Sequence, residues 1–148
     1  MNAPLPQKLP PGYHGRGVEA TALAELAVLV LVPVFALSRL AAWIDWRVVL
    51  GGSVAMPLVT YFLYGFDKHR AETNGQRVPE TTLHLVELFG GWPGAFLAQR
   101  KFRHKIAKSS YQIGFWLIVL IHQFVALDFL CGWRFTGGVW GLFTTHTD

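Results

Sequence analysis

Three long apolar stretches set the pattern of this chain. From Leu26 to Leu37 there is no charge, and the apolar character runs from about Ala22 to Trp43, with Glu25 and Arg39 near its ends. From Val48 to Phe66 there is no charge at all. From Ile113 to Leu127 there is none either, and the run reaches Leu130 if Asp128 is admitted. A bilayer core of ~30 Å takes about 20 helical residues. The first two stretches meet that length, and the third does if it begins near Tyr111. Lipid offers backbone groups no partners, so each stretch is expected to be a helix. Pro33 and Pro57 fall inside two of them, where each removes a backbone donor and is expected to kink its helix.

The competing reading is a soluble bundle of buried helices, which would need polar faces to meet water. The second stretch offers only Ser53, Thr60, Tyr61 and Tyr64. A cleavable leader is the weaker reading of the first stretch. It is longer than the usual apolar core of roughly 7–15 residues, and Pro33 and Arg39 interrupt the cleavage zone.

A fourth segment, Glu80 to Gln99, decides the topology. It reads ETTLHLVELFGGWPGAFLAQ, with Glu80, His84 and Glu87 near its start. Its uncharged part, Leu88 to Leu97, is short and broken by Gly90, Gly91, Pro93 and Gly94. Stretches of about 10–14 apolar residues are more often re-entrant or interfacial than spanning. The cations provide a test. If the segment returns to its starting side, ten Lys and Arg share one face and three (Arg39, Arg47, Arg134) the other. If it crosses, the division is six against seven. The positive-inside rule favours the return.

The expected fold is therefore an all-α integral membrane protein. It has three transmembrane helices plus a broken re-entrant or amphipathic helical hairpin, with four transmembrane helices as the alternative. The expected setting is the bacterial inner membrane, multi-pass, with the N-terminus cytoplasmic. Residues 1–148 form a single membrane domain, with a flexible N-terminal arm over 1–20 and an aromatic tail over 131–148. The short linker Trp43-Ile44-Asp45-Trp46-Arg47 resembles an interfacial aromatic belt.

Composition narrows the class further. The chain has 148 residues, of which 52% are apolar and 15% charged, and its mean hydropathy is +0.34. Soluble domains carry roughly a quarter charged residues. Six Trp and eleven Phe argue against disorder. The single cysteine, Cys131, excludes an intrachain disulfide scaffold and a Cys-rich zinc module.

In the hairpin topology two polar groups meet at the cytoplasmic face. One is Asp67-Lys68-His69-Arg70, placed in a loop that leads to Arg77-Val78-Pro79-Glu80. The other is Arg103-His104-Lys105 with Lys108. Pro79 suits a helix start, where its missing donor costs nothing. Glu80, His84 and Glu87 then fall on one helix face. That face could chelate a metal. Pairing with Lys105, Lys108 or Arg77 is the preferred reading, because the surrounding cations repel another. No metal and no cofactor is expected.

The basic linker RKFRHKIAK reads as a stop-transfer cluster, as a surface for anionic headgroups, or both. His122 and Gln123 lie at membrane depth, where helix–helix hydrogen bonding is preferred over an ion path.

The middle of the chain resembles a family of small bacterial membrane proteins known as domain of unknown function 1294. The resemblance rests on Tyr64-Gly65-x-Asp67-Lys68-x-x-Ala71, Arg77-x-Pro79-Glu80-x-x-Leu83-His84, Gly90-Gly91-x-x-Gly94 and His104-Lys105-x-x-Lys108. It covers roughly residues 54–123, and Glu87 is not part of its pattern. It implies no reaction. It does imply that Asp67, Lys68, Arg77, Glu80, His84, His104, Lys105 and Lys108 belong to one shared feature, with Gly90, Gly91 and Gly94 as the hairpin glycines. Some relatives carry a cold-shock-like nucleic-acid-binding domain. The residues before the first helix are too few for one, so nucleic acid is not an expected partner.

Three function classes follow. The preferred one is an inner-membrane protein of unassigned activity whose charged cluster contacts acidic phospholipid headgroups. The second is a small membrane enzyme acting on a lipid or isoprenoid-phosphate substrate, with His84 or His104 as base and Lys105 and Lys108 holding a phosphate. The third is an accessory subunit of a transport complex. Expected partners are membrane phospholipids and either a second copy or another membrane protein.

Overall fold

The computed structural model describes residues 20–73, 75–102 and 108–138. Every element among them is helical. In chain order they are α1 (Ala20–Leu40), α2 (Trp46–Glu72), α3 (Glu80–Val86), α4 (Trp92–Phe102) and α5 (Ser109–Leu130). A kinked turn, Glu87–Gly91, joins α3 to α4. Three helices, α1, α2 and α5, are long and apolar enough to cross a membrane. Both α1 and α2 run through their prolines, Pro33 and Pro57.

The outward faces of these helices are apolar. Leu31 and Val34 on α1, Leu58 and Phe62 on α2, and Leu117 and Leu120 on α5 are all exposed. Water would not tolerate a continuous surface of this kind on a monomer, whereas acyl chains solvate it. The chain is an all-α membrane protein.

The core gathers around the short segment, not between the long helices. Leu83 of α3 and Trp92, Ala95, Phe96 and Ala98 of α4 are buried against Tyr64 of α2 and Tyr111, Phe115, Ile118 and Val119 of α5. Two polar residues of α5 point elsewhere. Gln123 donates from Nε2 to the Leu29 carbonyl of α1 at 2.7 Å, which is the expected helix–helix bond. His122 meets the Ile118 carbonyl of its own helix at 2.8 Å from Nδ1, and its ring lies 6.3 Å from that of Trp92 on α4.

The path of the segment can be followed along α2. Val78 donates its N–H to Asp67 at 2.8 Å. Tyr64 hydrogen-bonds Glu87. A Cβ on Gly91 would meet Thr60. As the chain advances from 78 to 91, its contacts on α2 step back from 67 to 60. They then reverse. Gly94 lies on Pro57, and Phe102 lies against Gly65 and 5.3 Å from the Tyr61 ring. Eight positions on α4 match eight on α2, about 12 Å of rise on each.

The segment descends, turns and returns, so the hairpin topology holds and the four-helix alternative is set aside. Gly90 makes the turn possible. Its φ of 96° lies in the left-handed region, which an L side chain enters at a cost of roughly 1–2 kcal/mol. Ion pairs tie the returned ends: Arg100 to Glu25 at 2.5 Å and Lys108 to Glu80 at 2.7 Å.

One expectation is corrected. Asp67-Lys68-His69-Arg70 is not a loop but the last turns of α2, which continues to Glu72. The helix overshoots the apolar run because its polar end remains well formed. Lys68 pairs with Glu72 one turn on, Arg70 sits 4.9 Å over the Phe66 ring, and basic residues suit a helix C-terminus.

The return of the hairpin predicts labelling from one side. With Cys131 replaced by Ser, Gln76→Cys and Lys101→Cys are expected to react with an impermeant maleimide from the same face of sealed vesicles, and Ile44→Cys from the other. Labelling of 76 and 101 from opposite faces would remove the hairpin.

Candidate functional site

Beneath the charged end, five elements bring polar side chains into the packed interior. The turn supplies Glu87, α3 supplies His84, α2 supplies Tyr64, α4 supplies Gln99, and α5 supplies Tyr111 and Gln112. Glu87 is completely buried. A buried carboxyl group is costly unless its oxygens are satisfied, and here both are. Oε2 accepts from His84 Nδ1 at 2.7 Å. Oε1 accepts from Tyr111 at 2.8 Å and from Tyr64 in a short contact.

The two tyrosine hydroxyls also touch one another in a short contact. Two hydroxyl protons therefore serve three oxygen–oxygen contacts. One hydroxyl donates to Glu87, and the other divides its proton between Glu87 and its neighbour. The network continues outward. Gln99 Nε2 donates to Tyr64 Oη at 3.2 Å, and Gln112 Nε2 donates to Gln99 Oε1 at 2.7 Å. No buried side-chain nitrogen or oxygen among the described residues lacks a partner.

His84 is the outer edge of this network. Its ring stacks on Tyr111 with centroids 4.3 Å apart and planes 22° from parallel. Its far edge lies over Gly114, where a Cβ would stand 2.9 Å from Nε2. The side chain is 26% exposed, whereas that of Glu87 is sealed. Glu87 fixes the imidazole, Tyr111 fixes its plane, and Gly114 leaves it room.

The residues singled out from the sequence are distributed as follows. Glu80 and Lys108 form an exposed ion pair. Asp67 is buried and receives the Val78 N–H, which stitches the loop before α3 to α2. Lys68 faces Glu72, and Arg77 is exposed. His104 and Lys105 lie outside the described residues, as do most of the N-terminal arm and the end of the aromatic tail. The described start of that tail is held by Asp128, which accepts the N–H groups of Phe135 and Thr136 and the Thr136 hydroxyl.

Gly91 and Gly94 press on α2, and Gly90 makes the turn. Glu80, His84 and Glu87 do not converge on one point. Glu80 turns to Lys108, while His84 and Glu87 close on each other. Among the described residues no three His, Cys, Asp or Glu side chains could share a metal ion.

The sequence reading missed Tyr64, Tyr111, Gln99 and Gln112 as site residues, and gave Glu87 a surface role. A Tyr in each of two spanning segments, one helical turn or less from a charged boundary, was the available signal.

The family model described as Protein of unknown function (DUF1294) matches residues 57–111. That interval runs from Pro57, on which Gly94 packs, to Tyr111. The chain is also 31% identical over 68 residues to the uncharacterized protein YsdA of Bacillus subtilis (strain 168), an alignment that covers 46% of this chain and 76% of that protein. No solved structure matches the chain.

Proposed function

Because the chain belongs to the DUF1294 family of proteins of unknown function, whose name supplies no reaction, we propose a role from the chemistry of its charged end: a bacterial inner-membrane protein whose cytoplasmic face binds acidic phospholipid headgroups. The supporting observation is the excess of cations where the hairpin opens. Lys68, Arg70, Arg77, Arg100, Lys101 and Lys108 lie at that end, and Arg39, Arg47 and Arg134 at the other. Glu72, Glu25 and Glu80 occupy Lys68, Arg100 and Lys108. Arg70, Arg77 and Lys101 remain exposed.

The geometry suits headgroups. The Arg100 guanidinium lies 3.5 Å over the Phe96 ring and that of Arg70 4.9 Å over Phe66, cation–π contacts that hold both charges at this end. Each cation near an anionic leaflet contributes about 1 kcal/mol. The positive-inside rule supports a cytoplasmic setting for this face.

In nanodiscs the protein is expected to melt several degrees higher in phosphatidylglycerol than in phosphatidylcholine. The difference should shrink in ~0.5 M salt, where screening is short-ranged, and disappear in the Arg70→Gln/Arg77→Gln/Lys101→Gln variant. Equal melting in the two lipids would overturn the proposal.

A further inference from the structure

The half-exposed imidazole of His84 is not used by headgroup binding. Three groups pin it: Glu87 on Nδ1, Tyr111 against its face and Gly114 beneath its edge. The hydroxyls of Tyr64 and Tyr111 converge on Glu87 Oε1, so the carboxyl group is an acceptor, and the tautomer that suits it carries the proton on Nδ1 and the lone pair on Nε2. Nε2 has no hydrogen-bond partner among the described residues. It is not a sealed atom either, since no buried side-chain nitrogen or oxygen there lacks a partner. A structural histidine of the core would have both nitrogens satisfied. Here one is held, and the other, lying over Gly114, is neither sealed nor hydrogen-bonded among the described residues, the arrangement that a general base requires.

The depth of this atom selects the substrate. Gly114 lies five positions beyond Ser109, the first residue of α5, which is about 7 Å inward at 1.5 Å per residue. That depth falls within the headgroup–acyl boundary, roughly 5–10 Å from the surface. A freely soluble substrate would not meet Nε2 there, whereas the ester linkages of a phospholipid lie at this level. One helical turn before His84 is Glu80, paired with Lys108, and the exposed Arg77 and Lys101 are at the same end.

We propose that His84 is the catalytic base of a hydrolytic site for an anionic phospholipid, with Glu87 as its positioning residue and the exposed Arg77 and Lys101 at the same end drawing in the anionic headgroup. Nε2 takes a proton from water as the water oxygen bonds to the ester centre. The bond from that centre to the departing oxygen breaks, and the departing oxygen receives the proton from Nε2. Water and ester become acid and alcohol, the Nδ1–H stays on Glu87, and no other reagent is consumed.

The test uses the full chain in nanodiscs of equal phosphatidylglycerol and phosphatidylcholine, with products followed by mass spectrometry. The parent is expected to consume phosphatidylglycerol in preference to phosphatidylcholine. Fatty acid with lysolipid identifies a carboxylic ester as the target, and diacylglycerol with glycerol phosphate identifies a phosphoester. His84→Asn should be slower by about 10²-fold or more while melting close to the parent. Glu87→Gln should lower kcat by ~10²-fold or more with KM within twofold. If Glu87→Gln does not accumulate, carbethoxylation of His84 in the parent replaces it, and full modification should stop turnover. No product from phosphatidylglycerol, turnover at the parent rate in His84→Asn, or turnover that survives full modification of His84 would each overturn the proposal.

Discussion

Gly94→Ala is expected to leave little folded protein. A Cβ at this position would stand 1.8 Å from the carbonyl oxygen of Pro57 and 2.6 Å from its carbonyl carbon. Both are backbone atoms in the middle of a spanning helix, so no side chain can turn aside to make room. Relief requires α4 to move off α2. That would pull Phe102 away from Gly65 and disturb the buried contacts of Ala95, Phe96 and Ala98. Overpacking a core costs about 1–3 kcal/mol where side chains can shift, and this contact should lie at or above the top of that range. Membrane helices gain little from hydrophobic exclusion and rely on such close approaches.

Two other substitutions calibrate the effect. Gly51→Ala and Gly52→Ala meet nothing within 4 Å and should be neutral or stabilising by up to ~1 kcal/mol through helix propensity. Gly90→Ala also meets open space but must hold a positive φ, so it should fall between them. The series is read from thermal unfolding in detergent micelles. Gly94→Ala melting with Gly51→Ala would mean that the hairpin does not press on α2 as described.

Much of this fold is written in local composition. The three spanning helices follow from apolar length alone, because the bilayer sets a fixed distance to cross. The return of the hairpin follows from a short, glycine-broken stretch and the unequal division of cations. The end of α2 was less legible. Polar residues after an apolar run are read as a loop, yet a helix leaving the membrane needs only continued backbone bonding, and Asp67 to Glu72 retain it.

The interior network was the least legible part. The i, i+4, i+7 spacing placed Glu80, His84 and Glu87 on one face only while the helix was assumed to continue. It ends at Val86, and Phe89 and Gly90 leave helical geometry. Glu87 therefore turns inward while Glu80 stays at the surface. Tyr64 and Tyr111 are 47 positions apart, and nothing local to either announces the other. Their meeting depends on the hairpin entering between α2 and α5, a consequence of long-range packing.

That packing makes Glu87→Leu the most informative change in the network. Leucine keeps much of the volume and removes a buried charge, which taken alone can be neutral or even stabilising. The neighbours decide otherwise. His84 Nδ1 and the hydroxyls of Tyr64 and Tyr111 lose their shared acceptor. Both tyrosines are buried and cannot turn to water. Each stranded donor costs about 1–3 kcal/mol. The hydroxyls can still satisfy part of their demand through each other and through Gln99, so the total should be about 3–5 kcal/mol, not the full sum. Tyr64→Phe alone should cost only about 1 kcal/mol, since Glu87 keeps two donors.

The same reasoning predicts a coupling. In the Tyr64→Phe/Tyr111→Phe background the stranded hydroxyls are already gone, so adding Glu87→Leu should cost roughly half of what it costs in the parent. Unfolding free energies of the four proteins, measured in one detergent, decide the matter. An equal penalty in both backgrounds would mean that the carboxylate is held by something other than the tyrosines, and that the hairpin is not anchored to α2 and α5 through this group.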